Sequence, residues 1–315
     1  MTFKTAVRFL RSLLRPLRRF VRQSMKHLVY FVRRHFGHLR VTKPVTRILG
    51  VQYRRSLRKI EIDITYACNL SCPNCNRSCT QAPTGERMTV EQIDFFLKES
   101  IASGIKWDRI RLLGGEPTLH PHFHRIIQLL LEYRERFSKD TCIEVSTHGY
   151  GTKVEQALSQ ISHPAIRICN SRKRADTPPL FEPFNVAPRD LKRYVNADFR
   201  NGCWVIDSCG TGLSGSGFYP CAVAAGIDRI MGWDIGRKSL PADDDSMQDL
   251  LSRFCSHCGH FDRNLVEPLE TESVMSSTWV EAYAGYHKVK RITRYGAQTS
   301  LRNGSDERTT NKKLA

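Results

Sequence analysis

The sequence predicts an α/β fold: a parallel sheet with helices packed outside it, a small cysteine-rich C-terminal extension, and an N-terminal amphipathic basic helix. Three observations predict it. Between about residues 55 and 200, short stretches with the two-residue period of strands alternate with longer stretches of helical period, the order that builds a parallel sheet. Cysteines gather in two places, directly after the first of those strands and again beyond residue 200. Positive charge gathers in one, ahead of the first strand.

The chain has 315 residues and a formal net charge of +18. Residues 1–60 hold 17 of the 49 Lys and Arg and no Asp or Glu, which leaves 32 basic against 31 acidic residues in the rest. A basic surface spread over the body is therefore not implied. Arg8, Arg11, Arg15, Arg18, Arg22 and Lys26 recur every three or four residues, and Val7, Leu10, Leu14, Leu17 and Val21 recur on the opposite side, an amphipathic helix kinked at Pro16. Residues 1–45 read as an arm lying on an anionic membrane surface, each basic residue near it adding about 1 kcal/mol. An acidic protein partner is the next reading, and an organelle transit peptide shares the composition. Nucleic acid is disfavoured, because aromatic residues are not interleaved as a single-strand binder needs. The longest apolar run near the start, residues 28–32, is too short for a signal-peptide core or a membrane span. Eleven cysteines in a chain of that kind point to metal or redox chemistry in the cytoplasm, peripheral to the membrane, and not to a disulfide scaffold.

Strands are expected over residues 60–65, 109–113, 142–147 and 165–169, and helices between them over 89–103, 122–137 and 154–160. Thr89, with Gln92 three residues on, has the form of a capping box. The fifth and sixth strands must lie between residues 184 and 235. The first strand runs into Cys68, Cys72 and Cys75, with Cys79 four residues further on. Three thiolates so close suit zinc or an iron–sulfur cluster. A 4Fe–4S cubane on three cysteines keeps one iron open to a small molecule. With Cys79 the loop could instead make a closed four-cysteine site. The second strand runs into Gly114-Gly115-Glu116-Pro117. His120 continues that turn and, with His122 and His124, reads as structural; Cys142 and Cys169 read as core thiols.

The C-x3-C-x2-C of Cys68, Cys72 and Cys75, followed in order by Gly-Gly-Glu-Pro and each preceded by a strand, resembles the radical S-adenosylmethionine (radical SAM) superfamily. One departure is Asn74, where the family often has an aromatic residue before the third cysteine. The resemblance implies a radical SAM core over residues 55–200, a partial (β/α)6 TIM-like barrel with its chemistry at the C-terminal ends of the strands. It implies that Cys68, Cys72 and Cys75 ligate three irons and that the amino and carboxylate groups of S-adenosylmethionine chelate the fourth. Gly114, Gly115, Glu116 and Pro117 would meet the methionyl end, and Ser146 and Asn170 would lie at the later cofactor contacts. An electron donor such as flavodoxin or ferredoxin is implied too.

Residues 201–262 hold the second cysteine set: Cys203, Cys209 and Cys221 around a glycine-rich stretch, then the C-x2-C of Cys255 and Cys258. This stretch resembles a shortened SPASM or twitch-type auxiliary extension, and the four ligands assigned to a second 4Fe–4S cluster are Cys209, Cys221, Cys255 and Cys258. Cys203 is the spare, or replaces Cys209. Structural zinc suits four thiolates equally. Residues 263–315 hold a helix-like patch at 279–289 and a polar tail, 302–315, expected to be disordered.

The resemblance thus implies an enzyme that reductively cleaves S-adenosylmethionine to a 5′-deoxyadenosyl radical and takes hydrogen from a peptide, a lipid-linked sugar or another small molecule. Two other classes compete: a zinc protein with two four-cysteine sites and a membrane- or nucleic-acid-binding arm, and a binding module that keeps the barrel without cleaving its cofactor.

Overall fold

Four strands and three helices alternate as the sequence predicts: β1 (Lys59–Thr65), α2 (Val90–Ala102), β2 (Arg109–Gly114), α3 (Phe123–Arg136), β3 (Cys142–Thr147), α4 (Thr152–Ser159) and β4 (Ile166–Asn170), with α1 (Lys43–Leu49) ahead of them. These come from a computed structural model, which describes residues 23–25, 31, 36–172, 184–261, 275–286 and 295. Most of the basic arm and all of the polar tail lie outside the described residues. Downstream come α5 (Trp204–Ser208), β5 (Thr211–Ser214), β6 (Gly217–Tyr219), α6 (Ala222–Met231), α7 (Gln248–Cys255) and α8 (Ser277–Gly285).

The six strands form one sheet in the order β4-β3-β2-β1-β5-β6. The class is α/β and the sheet is open, both as a partial barrel requires, but its last two strands differ from a regular (β/α)6 series. After β4 the chain crosses back, and β5 pairs parallel to the other side of β1; β6 then returns antiparallel as the second arm of a hairpin. The hairpin lies beyond residue 200, so the boundary drawn there runs between strands of one sheet.

One face of the sheet is apolar. Ile60, Ile62, Ile64, Ile110, Leu112, Ile143 and Val145 are wholly buried, in the same core as Ile93 and Phe96 of α2 and Ile126 and Leu130 of α3. Thr89 Oγ1 accepts from Gln92 N (3.2 Å) and Gln92 Oε1 from Thr89 N (2.9 Å), the reciprocal cap that starts α2 and is worth about 1 kcal/mol. The other face is charged although it is buried. Glu61, Asp63 and Glu144 are each 3% exposed or less. Polar positions that would face water in an antiparallel sheet here face the inside of the open barrel. Cys142 and Cys169, two residues from Glu144 and Arg167 on their strands, share that face and are half-buried, not core thiols.

Candidate active site

The loop after β1 and the turn after β2 are bound to each other through main chain. Gly115 N donates to Thr65 O and Glu116 N to Ala67 O, both at 2.8 Å. A Cβ on Gly114 would overlap the Thr65 carbonyl oxygen, and one on Gly115 the Ala67 carbonyl; Gly114 also has φ +137°. The glycine pair is thus required first by the close approach of the two strand ends. Gly114→Ala is expected to destabilise the fold by about 3 kcal/mol, read from the midpoint of chemical denaturation.

Cys68, Cys72 and Cys75 line one cavity of about 300 Å³, together with Gly114, Gly115, Ser146, Thr147, His148 and Ser171. Burial pushes the Cys68 thiol up to about 11. Cys79 is buried outside this lining; its hydrogen bond to Cys75 holds Cys75 below the usual thiol range and itself above it. Asn74 takes the left-handed conformation, φ +52°, and is buried. The segment after Cys75 is fixed from below by Arg229 of α6, 1% exposed. Its guanidinium donates to Arg77 O (2.9 Å), Ser78 O (3.1 Å) and Ala82 O (3.0 Å), and lies over the Tyr66 ring.

The structure does not bring every expected contact to the cavity. Glu116 is wholly buried, and its carboxylate accepts from Thr118 N and Oγ1, Thr147 Oγ1 and His148 N. His148 Nδ1 accepts from Tyr150 N, so Nε2 carries the proton, 3.2 Å from Glu116 Oε2. The motif's acid thus ties β2 to β3. Pro117 opens the short 3-10 turn behind it. Ser146 is in the cavity wall; Asn170 is exposed, abuts Gly149 and accepts from Arg172 N, while its neighbour Ser171 reaches the wall.

The cavity floor was not anticipated as a site. In register across four strands stand Glu61, Arg111, Glu144 and Arg167. Arg111 bonds Glu61 and Glu144 at 2.7 Å each, and Arg167 also pairs with Glu144. Arg109 stands 3.8 Å from Glu144, and Arg77 pairs with Glu61 (3.5 Å) and Asp63 (3.3 Å). Burial pushes Asp63 up to about 6 against the pull of Arg77. Burial would lower Arg77, but Asp63 and Glu61 hold it above the usual guanidinium range. The signal was present in the sequence as alternating charges on neighbouring strands, legible only once the register is known.

The second cysteine set is gathered by the extension. Cys203, Cys221, Cys255 and Cys258 line one gap, and Cys209 is not among them; it lines the larger cavity beside Glu61 and Arg111. Burial, then the neighbouring sulfurs, raise Cys255 and Cys258, and Cys221 is pushed up to about 12. Four buried thiols that repel each other as anions are the donor set a soft cationic centre would ionise. Their gap is small, about 10 Å³, and among the described residues no three His, Cys, Asp or Glu side chains stand at single-ion geometry. The donor chemistry, not a preformed hole, is what fits. Val205, Val223 and His260 line both cavities.

Comparison with known proteins agrees with this geometry. Residues 62–163 match the model of the Radical SAM superfamily. The probable GTP 3′,8-cyclase of Methanocaldococcus jannaschii is 34% identical over 145 residues, 46% of this chain and 45% of that protein. The GTP 3′,8-cyclase of Aliarcobacter butzleri is 28% identical over 100 residues, 31% of this chain and 29% of that protein. The chain thus spans less than half the length of the curated relatives it matches. The crystal structure of BtrN in complex with AdoMet and 2-DOIA is 13% identical, covering 70% of this chain and 99% of that one at a TM-score of 0.39. The superfamily uses a 4Fe–4S cluster and S-adenosylmethionine, and three soft thiols in one cavity wall fit the cluster. With the three-cysteine loop and the Gly-Gly-Glu-Pro turn both inside the matched segment, the chain carries a Radical SAM superfamily segment over residues 62–163.

Proposed function

We propose that the chain is a radical SAM oxidoreductase whose substrate enters the cavity between the three-cysteine loop and the extension. The observation that carries this is the lining itself: Cys68, Cys72 and Cys75 share one cavity with Trp204, Cys209 and His260 of the extension. When bound, the first cluster and S-adenosylmethionine would supply abstraction of a hydrogen atom and a second cluster a one-electron acceptor, so that the substrate would lose a hydrogen atom, then an electron to the second cluster and a proton to solvent, a two-electron oxidation. Cys68, Cys72 and Cys75 would hold the first cluster. Cys203, Cys221, Cys255 and Cys258 would hold the second with every iron ligated by protein. Gly114 and Gly115 offer main-chain carbonyls to the methionyl ammonium, since the Glu116 carboxylate is committed elsewhere. Ser146 and Ser171 offer hydroxyls to the ribose, with Asn170 bracing the turn at Gly149. A small acidic electron carrier of the flavodoxin or ferredoxin type would reduce the first cluster.

The relatives' named activity on GTP is theirs; the matched segment is the part of this chain that handles S-adenosylmethionine. The test is anaerobic incubation of iron-loaded protein with S-adenosylmethionine and dithionite. 5′-Deoxyadenosine is expected, and its absence from protein with full iron content would sink the reading.

The basic arm supports a peripheral site of action on an anionic bilayer, where a membrane-associated substrate is within reach. Among the described residues no helix is long and apolar enough to cross a membrane. Deleting residues 1–35, ahead of the buried Val41 and of α1, is expected to abolish flotation with anionic liposomes while leaving the cluster in place. Unchanged flotation would remove the arm from this role.

A further inference from the structure

The proposed chemistry leaves the charged floor of the cavity without a task. Its centre is Arg111 on β2, whose side chain is 21% exposed, in the cavity wall. Nε is fixed on Glu144 Oε2 and Nη1 on Glu61 Oε1, both at 2.7 Å. Those carboxylates are themselves 1% and 4% exposed, so the guanidinium plane is set by rigid partners. Nη2 makes no hydrogen bond among the described residues. A fork with two donors anchored and one unbonded, on a side chain that lines a cavity, is pre-organised for an oxygen acceptor.

The charge balance states what kind of acceptor. Four guanidiniums, of Arg77, Arg109, Arg111 and Arg167, face three carboxylates, of Glu61, Asp63 and Glu144. The one acid in the cavity lining is Glu61, and Arg77 and Arg111 both hold it. Counted over guanidiniums and carboxylates, the floor therefore carries surplus positive charge in a partly desolvated site, where an anion is favoured over a cation.

We infer that Arg111 seats an oxyanion of the substrate, a carboxylate or a phosphate, opposite the three-cysteine loop. This rests on the reading of the cavity as the substrate site. A basic peptide or a neutral lipid would leave the surplus guanidinium unmatched; an acidic small molecule, or a phosphorylated one, satisfies it.

The test is calorimetric titration of the full chain, iron-loaded and saturated with S-adenosylmethionine, with pyrophosphate and separately with malonate at constant ionic strength. One saturable site is expected, and the probe that binds tighter names the acid group. Arg111→Met should weaken it by about tenfold or more, the loss of a charge-assisted bond. The basic arm is intact in that variant, so its own affinity for anions cancels. Should Arg111→Met fail to retain its iron, Glu61→Gln decides: it leaves an amide oxygen for Nη1 but removes the negative charge there, and should tighten binding by about threefold or more. Absence of a saturable site for both probes, equal affinity in Arg111→Met, or no gain in Glu61→Gln overturns the inference. Loss of the underlying reading is seen separately, as failure of the wild-type chain to cleave S-adenosylmethionine.

Discussion

Cys72→Ala is expected to abolish formation of 5′-deoxyadenosine, a fall of ~10³-fold or more under dithionite. Cys72 is 8% exposed and lies in the cavity wall between the other two thiols in sequence. A cubane left with two protein ligands in that loop loses both its hold and its defined open iron. Cys79→Ala is the contrasting variant. Cys79 is just as buried but sits outside the cavity wall, giving its thiol hydrogen bond to Cys75. Removing it should leave cleavage within a few-fold of wild type. Quenched reactions analysed by chromatography check both, and equal loss in the two variants would mean that the ligand set of this loop has been misassigned.

The second large effect concerns which cysteine completes the auxiliary set. Cys203→Ala should lose about four irons per chain, one cubane's worth, while Cys209→Ala should keep them. The two residues flank α5: Cys203 is its N-cap and Cys209 its C-cap. The five-residue helix carries them to different sides. Cys203 faces Cys221, Cys255 and Cys258, whereas Cys209 faces the charged floor, its carbonyl held by Arg109 Nη2 at 2.8 Å. Iron assay and the visible absorption of anaerobically purified variants separate the outcomes. Iron lost in Cys209→Ala and kept in Cys203→Ala would restore the set that spacing suggested.

That contrast shows where reading a sequence stops. β1 to β4 were legible because each carries its own period, and α2 because Thr89 and Gln92 cap it locally. β5 and β6 were not: they are four and three residues long, rich in glycine, and β5 owes its place to a partner about 150 residues earlier. The choice between Cys203 and Cys209 depends on the turn of a short helix, which spacing cannot resolve. Glu61, Arg111, Glu144 and Arg167 each looked like ordinary strand polarity, since the matching of opposite signs exists only across the register of four strands. The motif makes Glu116 a contact of the methionyl end, but the donors its carboxylate meets come from Thr118, Thr147 and His148, two of them on or just after another strand.

β1 is flanked on both sides, by β2 and by β5. The cysteine-rich segment is therefore no accessory that could be trimmed to give a minimal catalyst. Cutting it away would strip one margin of the central strand, laying open a ladder of amides and carbonyls to any passing chain. Truncates ending near residue 200 should precipitate even if every iron of the first cluster were supplied, and the shortest soluble form of this protein must include the hairpin.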